Sequence, residues 1–239
     1  MDTADYWTIA DADIEIQNPV TDRKLQLLED YCDIRDGLRV LDIGCGKAWV
    51  MRQWAERFRI EGIGLETNPA FLATARRTSP TRGTLSFVEG PAMRFKPAPS
   101  SYDVVMCLGA VEALGGFVEA VDWMTAAAKP GGSVVLGDMT LKHRPAVYTH
   151  QHLPPDPVEL SNIVGRHGAE VSALISASDA DFERYASHQR HATLRWAREH
   201  PDHPDHAEVL SKSEADWRRY LQTIRPQLGW TIFVARKAG

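Results

Sequence analysis

Short apolar runs alternate with amphipathic stretches from residue 38 to residue 139, and this alternation organises most of the chain. The apolar runs are predicted strands: "RVLDIG", "GIGLET", "LSFVEG", "YDVVMCLG" and "SVVLGD". They are almost continuously apolar, as in a parallel sheet that is covered on both faces. Helical patterns lie between most of them: "KAWVMRQWAERF", "PAFLATARRT" and "GFVEAVDWMTAAAK". Strands that alternate with crossover helices predict an α/β fold.

Two further strands are predicted, at 168–178 and 230–237, with a helical insertion between them. The insertion carries two helical stripes, formed by Phe182, Tyr185, Ala192 and Trp196, and by Leu210, Trp217, Tyr220, Leu221 and Ile224. Ahead of the first strand, "TDRKLQLLEDYC" predicts a helix with Thr21 as its N-cap. The prediction is a Rossmann-like, seven-stranded, mostly parallel sheet with helices on both faces.

The predicted organisation has three parts. Residues 1–36 form an N-terminal helical cap segment, and residues 37–178 and 228–239 form the core. Residues 179–227 form the helical insertion, which packs on the core as a lid or as an interface between subunits. Its pattern does not choose between a monomer and a homodimer.

Charge and cysteine content exclude several classes of protein. The balance of 27 basic against 32 acidic side chains gives a net charge of −5, which disfavours nucleic acid as a partner. Cys32, Cys45 and Cys107 lie far apart and form no CxxC pair, which indicates a reduced compartment and no zinc site. The N-terminus lacks the pattern of a signal peptide, and no apolar run approaches the roughly 18 residues that span a bilayer. We expect a cytoplasmic protein without a bound metal or a membrane partner.

A glycine turn in "VLDIGCGKAW", residues 40–49, predicts a ligand site. Glycines let backbone N–H groups approach a ligand closely, and the helix that follows directs its positive end at a negative group. A dinucleotide fingerprint requires a small residue at the position of Trp49. The turn therefore fits a nucleotide or another small anion, and NAD is disfavoured.

The predicted strands and their turns resemble the motifs of class I S-adenosylmethionine (SAM) dependent methyltransferases. The matching segments occur in the same order and spacing: "VLDIGCGKA", "GIGLETN", "FVEGPAMRF", "SYDVVMCLGAV" and "AAKPGGSVVLGD". More narrowly, "NPVTDRK", "CLGAVEALGG" and "DFERY" resemble a group of uncharacterised bacterial small-molecule methyltransferases. The resemblance implies S-adenosyl-L-methionine as cofactor and S-adenosyl-L-homocysteine (SAH) as product.

The resemblance also implies where the methionine and ribose parts of SAM bind. Backbone groups would hold the methionine part at two places: Gly44, Cys45 and Gly46, and Cys107, Leu108 and Gly109. Asp42 would brace the turn or reach the ammonium group through water, or else it is a strand-end acid that caps the turn. Glu66, which Thr67 follows, would accept hydrogen bonds from both ribose hydroxyls.

Pro91 departs from the family pattern at the adenine end. Many relatives have an aspartate there, which accepts a hydrogen bond from the adenine amino group. Such a bond contributes about 1.5–3 kcal/mol, so its absence predicts roughly tenfold or more weaker binding. The amide of Ala92 and the side chain of Met93 are the candidate adenine contacts that remain.

Methyl transfer is an in-line displacement that depends on an aligned acceptor more than on a catalytic group. A base is needed only for an acceptor that must lose a proton. Glu112 and His143 follow the fourth and fifth strands and are the candidate bases, although both are also ordinary surface residues by type. Tyr6, Trp7 and Tyr185 are candidates for the wall of the acceptor pocket, or for ordinary packing.

Other patterns are weaker. "NPAF" (68–71) resembles a motif of nucleic-acid amino-methyltransferases, but it follows the second strand instead of the fourth. "HPDHPDH" (200–206) is typical of a turn-rich connection rather than a metal site. The leading hypothesis is a methyltransferase that acts on a small molecule. The alternatives are a non-catalytic SAM- or SAH-binding protein with a sensing or partner-binding role, and an oxidoreductase, which would require a dinucleotide.

Overall fold

The computed structural model describes residues 1–77, 80–142 and 154–239, and its centre is a seven-stranded sheet. The strands are β1 (Arg39–Ile43), β2 (Glu61–Glu66), β3 (Thr84–Glu89), β4 (Tyr102–Leu108), β5 (Ala128–Leu141), β6 (Ala169–Ser176) and β7 (Leu228–Lys237). Their order across the sheet is β3-β2-β1-β4-β5-β7-β6. β1 to β5 pair in parallel, and β7 is antiparallel to both β5 and β6. The predicted Rossmann-like sheet is confirmed.

Helices cover both faces of the sheet. They are α1 (Thr3–Ala10), α2 (Asp22–Tyr31), α3 (Trp49–Arg57), α4 (Pro69–Arg77), α5 (Phe117–Ala127), α6 (Pro157–Arg166), α7 (Asp179–Glu199) and α8 (His206–Arg219), followed by a π-helical turn (Tyr220–Ile224). One buried cluster joins α2 and α3 to the sheet, and a second joins α5 and α6 to it. Among the described residues, no helix combines the length and the apolar character that crossing a bilayer requires.

Most element positions agree with the sequence pattern, and two helices were not predicted individually. Thr21 caps α2 as expected, because its side chain accepts a hydrogen bond from the Lys24 amide at 3.3 Å. The unpredicted α6 begins with ordinary signals, an Asp156 N-cap and Pro157 in the first turn. The other, α1, contacts α7, so tertiary packing contributes to it.

The insertion between β6 and β7 is a helical hairpin. α7 begins with a capping box, in which Ser178 and Asp181 each bond the other's backbone amide. At the far end, the rings of His200 and His203 lie 4.8 and 5.0 Å from the ring of Trp196. The "HPDHPDH" connection therefore packs on an aromatic ring, and the described residues contain no metal-binding cluster of His, Cys, Asp or Glu.

Candidate functional site

A cavity of about 240 Å³ opens at the carboxyl ends of β1, β2 and β4, where the strand order reverses. Open α/β sheets bind ligands at this position. Most residues that were predicted to hold the cofactor line it: Asp42, Gly44, Cys45, Gly46, Glu66, Thr67, Ala92, Leu108 and Gly109. We call it the cofactor cavity.

The glycine turn forms one side of the cofactor cavity and requires its two glycines. Gly44 and Gly46 have φ values of 65° and 54°, which side chains rarely adopt. A Cβ on Gly44 would lie 2.4 Å from the Cβ of Ala110, and one on Gly46 would lie 2.2 Å from Oε1 of Gln17. The turn is therefore a close-fitting backbone cradle.

Ala48 occupies the third position of the turn and has a left-handed backbone conformation that glycine adopts more readily. Ala48 has φ 56° and ψ 36°, a left-handed conformation that costs roughly 1–2 kcal/mol for a residue with a Cβ. α3 begins at Trp49, whose large side chain lines the cofactor cavity. Trp49, which is too large for a dinucleotide fingerprint, is thus part of the wall of the cofactor cavity.

Glu66 connects the end of β2 to the glycine turn. Its Oε2 accepts a hydrogen bond from the Gly46 amide at 2.9 Å, and its Oε1 accepts from the amides of Thr67 and Asn68 at 2.8 Å each. The Thr67 hydroxyl also donates to Oε1, at 3.3 Å, so Oε2, which has one donor, is the oxygen that keeps capacity for another. Contact between Glu66 and a ribose stays a prediction.

Asp42 is a buried acid, 5% exposed, in the floor of the cofactor cavity. Burial raises its pKa well above the ordinary value, and the neighbouring charge of Glu66 raises it further. Burial also raises the pKa values of the Cys45 and Cys107 thiols. Neither cysteine has the lowered pKa of a reactive thiol, and Asp42 is an acid that a cationic ligand would stabilise.

The segment between α1 and α2, residues 11–18, crosses the glycine turn, and we call it the strap. Nζ of Lys47 donates to the backbone carbonyls of Asp11 and Ile14 at 2.7 Å each. The Lys47 amide donates to Oε1 of Gln17, also at 2.7 Å. Sequence reasoning missed the strap residues that line the cofactor cavity, which are Asp11, Glu15, Ile16, Gln17 and Asn18.

The remaining predicted cofactor residues lie outside the wall of the cofactor cavity. Pro91 precedes a short 3₁₀ turn, Ala92–Arg94, and the side chain of Met93 is 51% exposed. Cys107 is fully buried within β4. Phe71 and Gly90 line the cavity in this region instead, and neither was predicted.

The structure does not bring the candidate base Glu112 to the cofactor cavity. Glu112 is exposed on a short 3₁₀ turn, Val111–Leu114, and is not part of the cavity wall. His143 lies outside the described residues. Asp11, a buried carboxylate of the strap that was not predicted, does line the cavity.

A second cavity of about 200 Å³ brings together the three predicted acceptor residues, Tyr6, Trp7 and Tyr185. We call it the aromatic cavity, and its wall also includes Phe182, Ala186, Gln189, Arg190, Ser213, Asp216, Trp217, Arg219, Tyr220 and Ile224. It lies between α1, α7, α8 and the π-helical turn. Two hydrogen bonds connect its wall to the strap and so to the cofactor cavity.

Comparisons with known proteins agree with this geometry. A family model described as "Methyltransferase domain" matches residues 40–132. The uncharacterised protein YjhP of Escherichia coli K12 is 28% identical over 244 residues, covering 98% of both chains. Its crystal structure superposes with a TM-score of 0.87 at 25% identity, over 97% of this chain and 99% of YjhP.

Two methyltransferases also resemble this chain, one in structure and one in sequence. A SAM-dependent methyltransferase from Thiobacillus denitrificans, solved in complex with SAH, has a TM-score of 0.86 at 23% identity and covers 99% of this chain and 100% of its own. A trans-aconitate 2-methyltransferase of Streptomyces avermitilis is 33% identical over 104 residues, which are 42% of this chain and 38% of that protein.

Proposed function

We propose that this chain, which belongs to the class I SAM-dependent methyltransferases, transfers the methyl group of SAM to a small-molecule acceptor by in-line displacement. The family rests on the methyltransferase domain match, on similarity to YjhP over nearly the whole length, and on the fold. A small-molecule acceptor is supported by the named acceptor of the Streptomyces relative and by the two cavities.

The charge of the cofactor cavity carries the proposal. Acidic side chains line it, namely Asp11, Glu15, Asp42 and Glu66. Lys47 is the one basic residue of the described lining, and backbone carbonyls of the strap accept hydrogen bonds from its ammonium. Such a cavity attracts a cation and repels the pyrophosphate of a dinucleotide. SAM carries both a sulfonium and an ammonium group, so the residues fit it.

Each part of the wall has a defined task in this proposal. The cradle at Gly44 and Gly46 gives the methionine part close backbone contact, and Asp42 balances its positive charge. Glu66 accepts from the ribose while it holds the turn. When bound, SAM supplies an electrophilic methyl carbon on its sulfonium. The strap covers this region and excludes water, which keeps the acceptor aligned with that carbon.

Calorimetric titration of the protein with SAM, SAH and NAD tests the proposal. We expect SAM and SAH to bind and NAD not to bind. Glu66→Gln should weaken SAM binding tenfold or more, because hydrogen bonds to a charged group contribute about 1.5–3 kcal/mol each.

Glu89→Gln is the matched control. Glu89 pairs with Glu66 in register at the end of the neighbouring strand, but it is exposed and outside the cofactor cavity. Its variant should bind SAM as the unchanged protein does. Equal SAM affinity in the Glu66 and Glu89 variants, or binding of NAD, would contradict the assignment.

A further inference from the structure

The aromatic cavity has room for a planar ring system. Its wall contains six aromatic side chains: Tyr6, Trp7, Phe182, Tyr185, Trp217 and Tyr220. The rings of Phe182 and Tyr220 are stacked with centroids 6.0 Å apart, and the ring of Trp217 lies 5.5 Å from that of Tyr220. The volume of about 200 Å³ exceeds the roughly 150 Å³ that accommodates benzene in an apolar protein cavity.

Two charged side chains of the aromatic cavity, Arg190 and Asp216, have hydrogen-bond partners within the chain. Arg190 donates to Glu214 at 2.7 Å, and Asp216 accepts from the hydroxyl of Tyr6 at 2.8 Å. Nζ of Lys212 lies 4.6 Å from the centre of the Tyr6 ring, so this ring already has a cation–π partner within the chain. The remaining charged residue of the wall, Arg219, is exposed, so a charged ligand would lose hydration without gaining a buried counter-ion and the cavity favours an uncharged ring.

Direct hydrogen bonds join residues of the aromatic cavity to residues of the cofactor cavity. Nε2 of Gln189 donates to Oδ1 of Asp11 at 2.8 Å, and the hydroxyl of Tyr185 donates to the carbonyl of Gln17 at 3.3 Å. Gln189 and Tyr185 line the aromatic cavity, whereas Asp11 and Gln17 line the cofactor cavity.

Asp11 is the acid among these connecting residues. It is 4% exposed, and burial raises the pKa of its carboxyl group, while the amides of Gln189 and Gln17 act in the opposite direction. Its carboxylate is held by hydrogen bonds from flexible side-chain amides. The donor of an entering ligand can therefore take the place of one of them.

We propose that the aromatic cavity binds the methyl acceptor, and that the acceptor is an uncharged aromatic compound whose phenolic hydroxyl displaces Gln189 from Asp11. This assignment rests on the proposed function. The hydroxyl oxygen forms the new bond to the methyl carbon as the carbon–sulfur bond breaks. That electron pair stays on the sulfur and yields SAH, and the hydroxyl proton passes to the carboxylate of Asp11. The helical insertion, 179–227, thereby supplies much of the acceptor site.

Filling the aromatic cavity tests where the ring binds. Ala186 lines the cavity, and Ala180 is exposed on the same helix. Calorimetric titration with 2-naphthol, with and without SAH, should show at least tenfold weaker binding to Ala186→Phe and unchanged binding to the control Ala180→Phe. Choline, a cationic probe, should not bind the unchanged protein.

SAH affinity, measured on the same samples, separates the two proposals. Failure of SAH to bind the unchanged protein contradicts the proposed function, whereas 2-naphthol without SAH still reports on the aromatic cavity. Trp217→Ala removes one ring of the wall and should also weaken 2-naphthol binding, which guards against misfolding of the filled variant. Equal 2-naphthol affinity in the altered and unchanged proteins, no 2-naphthol binding at all, or choline binding overturns the assignment.

The pH dependence of methyl transfer tests Asp11. Asp11→Asn should lower the rate of methylation of 2-naphthol and catechol by 10²-fold or more near neutral pH, as for loss of a general base. The rate should recover as the pH approaches about 10, where a phenol ionises in solution. A purely structural role would give no such recovery. Methylation of neither phenol by the unchanged protein, or a pH-independent defect, overturns the phenolic assignment.

Discussion

The buried position of Asp42 destabilises the folded protein and favours the binding of a cation. Its carboxyl group is buried, and the described residues give it no hydrogen bond, whereas the charge of Glu66 adds repulsion. A buried polar group without a partner costs about 1–3 kcal/mol. The site therefore holds a local instability that a cationic ligand relieves.

Asp42→Asn should raise the free energy of unfolding at pH 7 by about 1–3 kcal/mol, because it removes this buried charge. The folded pKa of Asp42 is raised, so folding is opposed as the pH rises above the unfolded value of about 3.9. The difference between variant and unchanged protein should thus be large at pH 7 and vanish below pH 4. Urea unfolding at both pH values measures it, and SAM affinity should fall in the variant.

Asp202→Asn provides the comparison for this change. Asp202 is exposed in the connection between α7 and α8, so its variant should match the unchanged protein in stability at every pH. A lower stability of Asp42→Asn at pH 7 would contradict this prediction, because it would show that the carboxylate stabilises the fold.

Among the elements, α1 and the strap are joined to the glycine turn by the ammonium group of Lys47. α1 has eight residues, too few for a stable helix in isolation. Lys47, from the glycine turn, bonds the carbonyls of Asp11 and Ile14 just beyond the end of α1. A cation at that end also complements the helix dipole. The turn that binds the cofactor therefore also fastens the segment that covers it.

Lys47→Met should loosen the strap without removing the glycine cradle. We expect faster hydrogen exchange of the backbone amides of residues 3–18 and a loss of about 2 kcal/mol in unfolding free energy, since charged hydrogen bonds are removed. SAH should dissociate faster. Lys96→Met is the control, because Lys96 is outside the cofactor cavity and bonds one exposed carbonyl. Unchanged exchange in residues 3–18 would refute the role of Lys47.

The strap also shows where sequence reasoning stops. The strands were predictable because continuous apolar runs follow directly from burial on both faces. The role of Lys47 was not predictable, since its partners are backbone carbonyls, which every residue type possesses. Tyr6 and Tyr185 of the aromatic cavity were predicted as acceptor residues from their residue types alone. Trp217 and Tyr220, from the far side of the hairpin, were placed only on a helical stripe, and their approach to Tyr6 required the packing of α1 against α7 and α8.

At the scale of the whole molecule, ligand binding and stability are coupled. A ligand that binds only the folded state at a hundred times its Kd adds about 2.7 kcal/mol of stability. Because the cofactor cavity concentrates acids, among them the buried Asp42 with its raised pKa, protonation should weaken that coupling.

SAM at a hundred times its Kd should raise the melting temperature by about 5–10 °C at pH 7.5, given about 2–4 °C per kcal/mol for a chain of this size. At pH 5 and the same SAM concentration the increase should be smaller, because burial raises the pKa of Asp42 and so favours its uncharged form at lower pH. Differential scanning calorimetry at both pH values measures this, with NAD as the control ligand. An equal increase at pH 5 would mean that the acids do not interact with SAM.

The position of β7 has a consequence for synthesis. In the sheet, β6 (169–176) pairs only with β7 (228–237) among the described strands. The helical hairpin lies between these two strands in the chain. Chains emerge from the ribosome N-terminal end first. β1 to β5, which carry the cofactor residues, can therefore assemble while β6 still lacks its partner strand. A ribosome-bound chain that ends before residue 228 should already have the cofactor half of the protein, and nascent β6 is the strand that a chaperone would find unpaired.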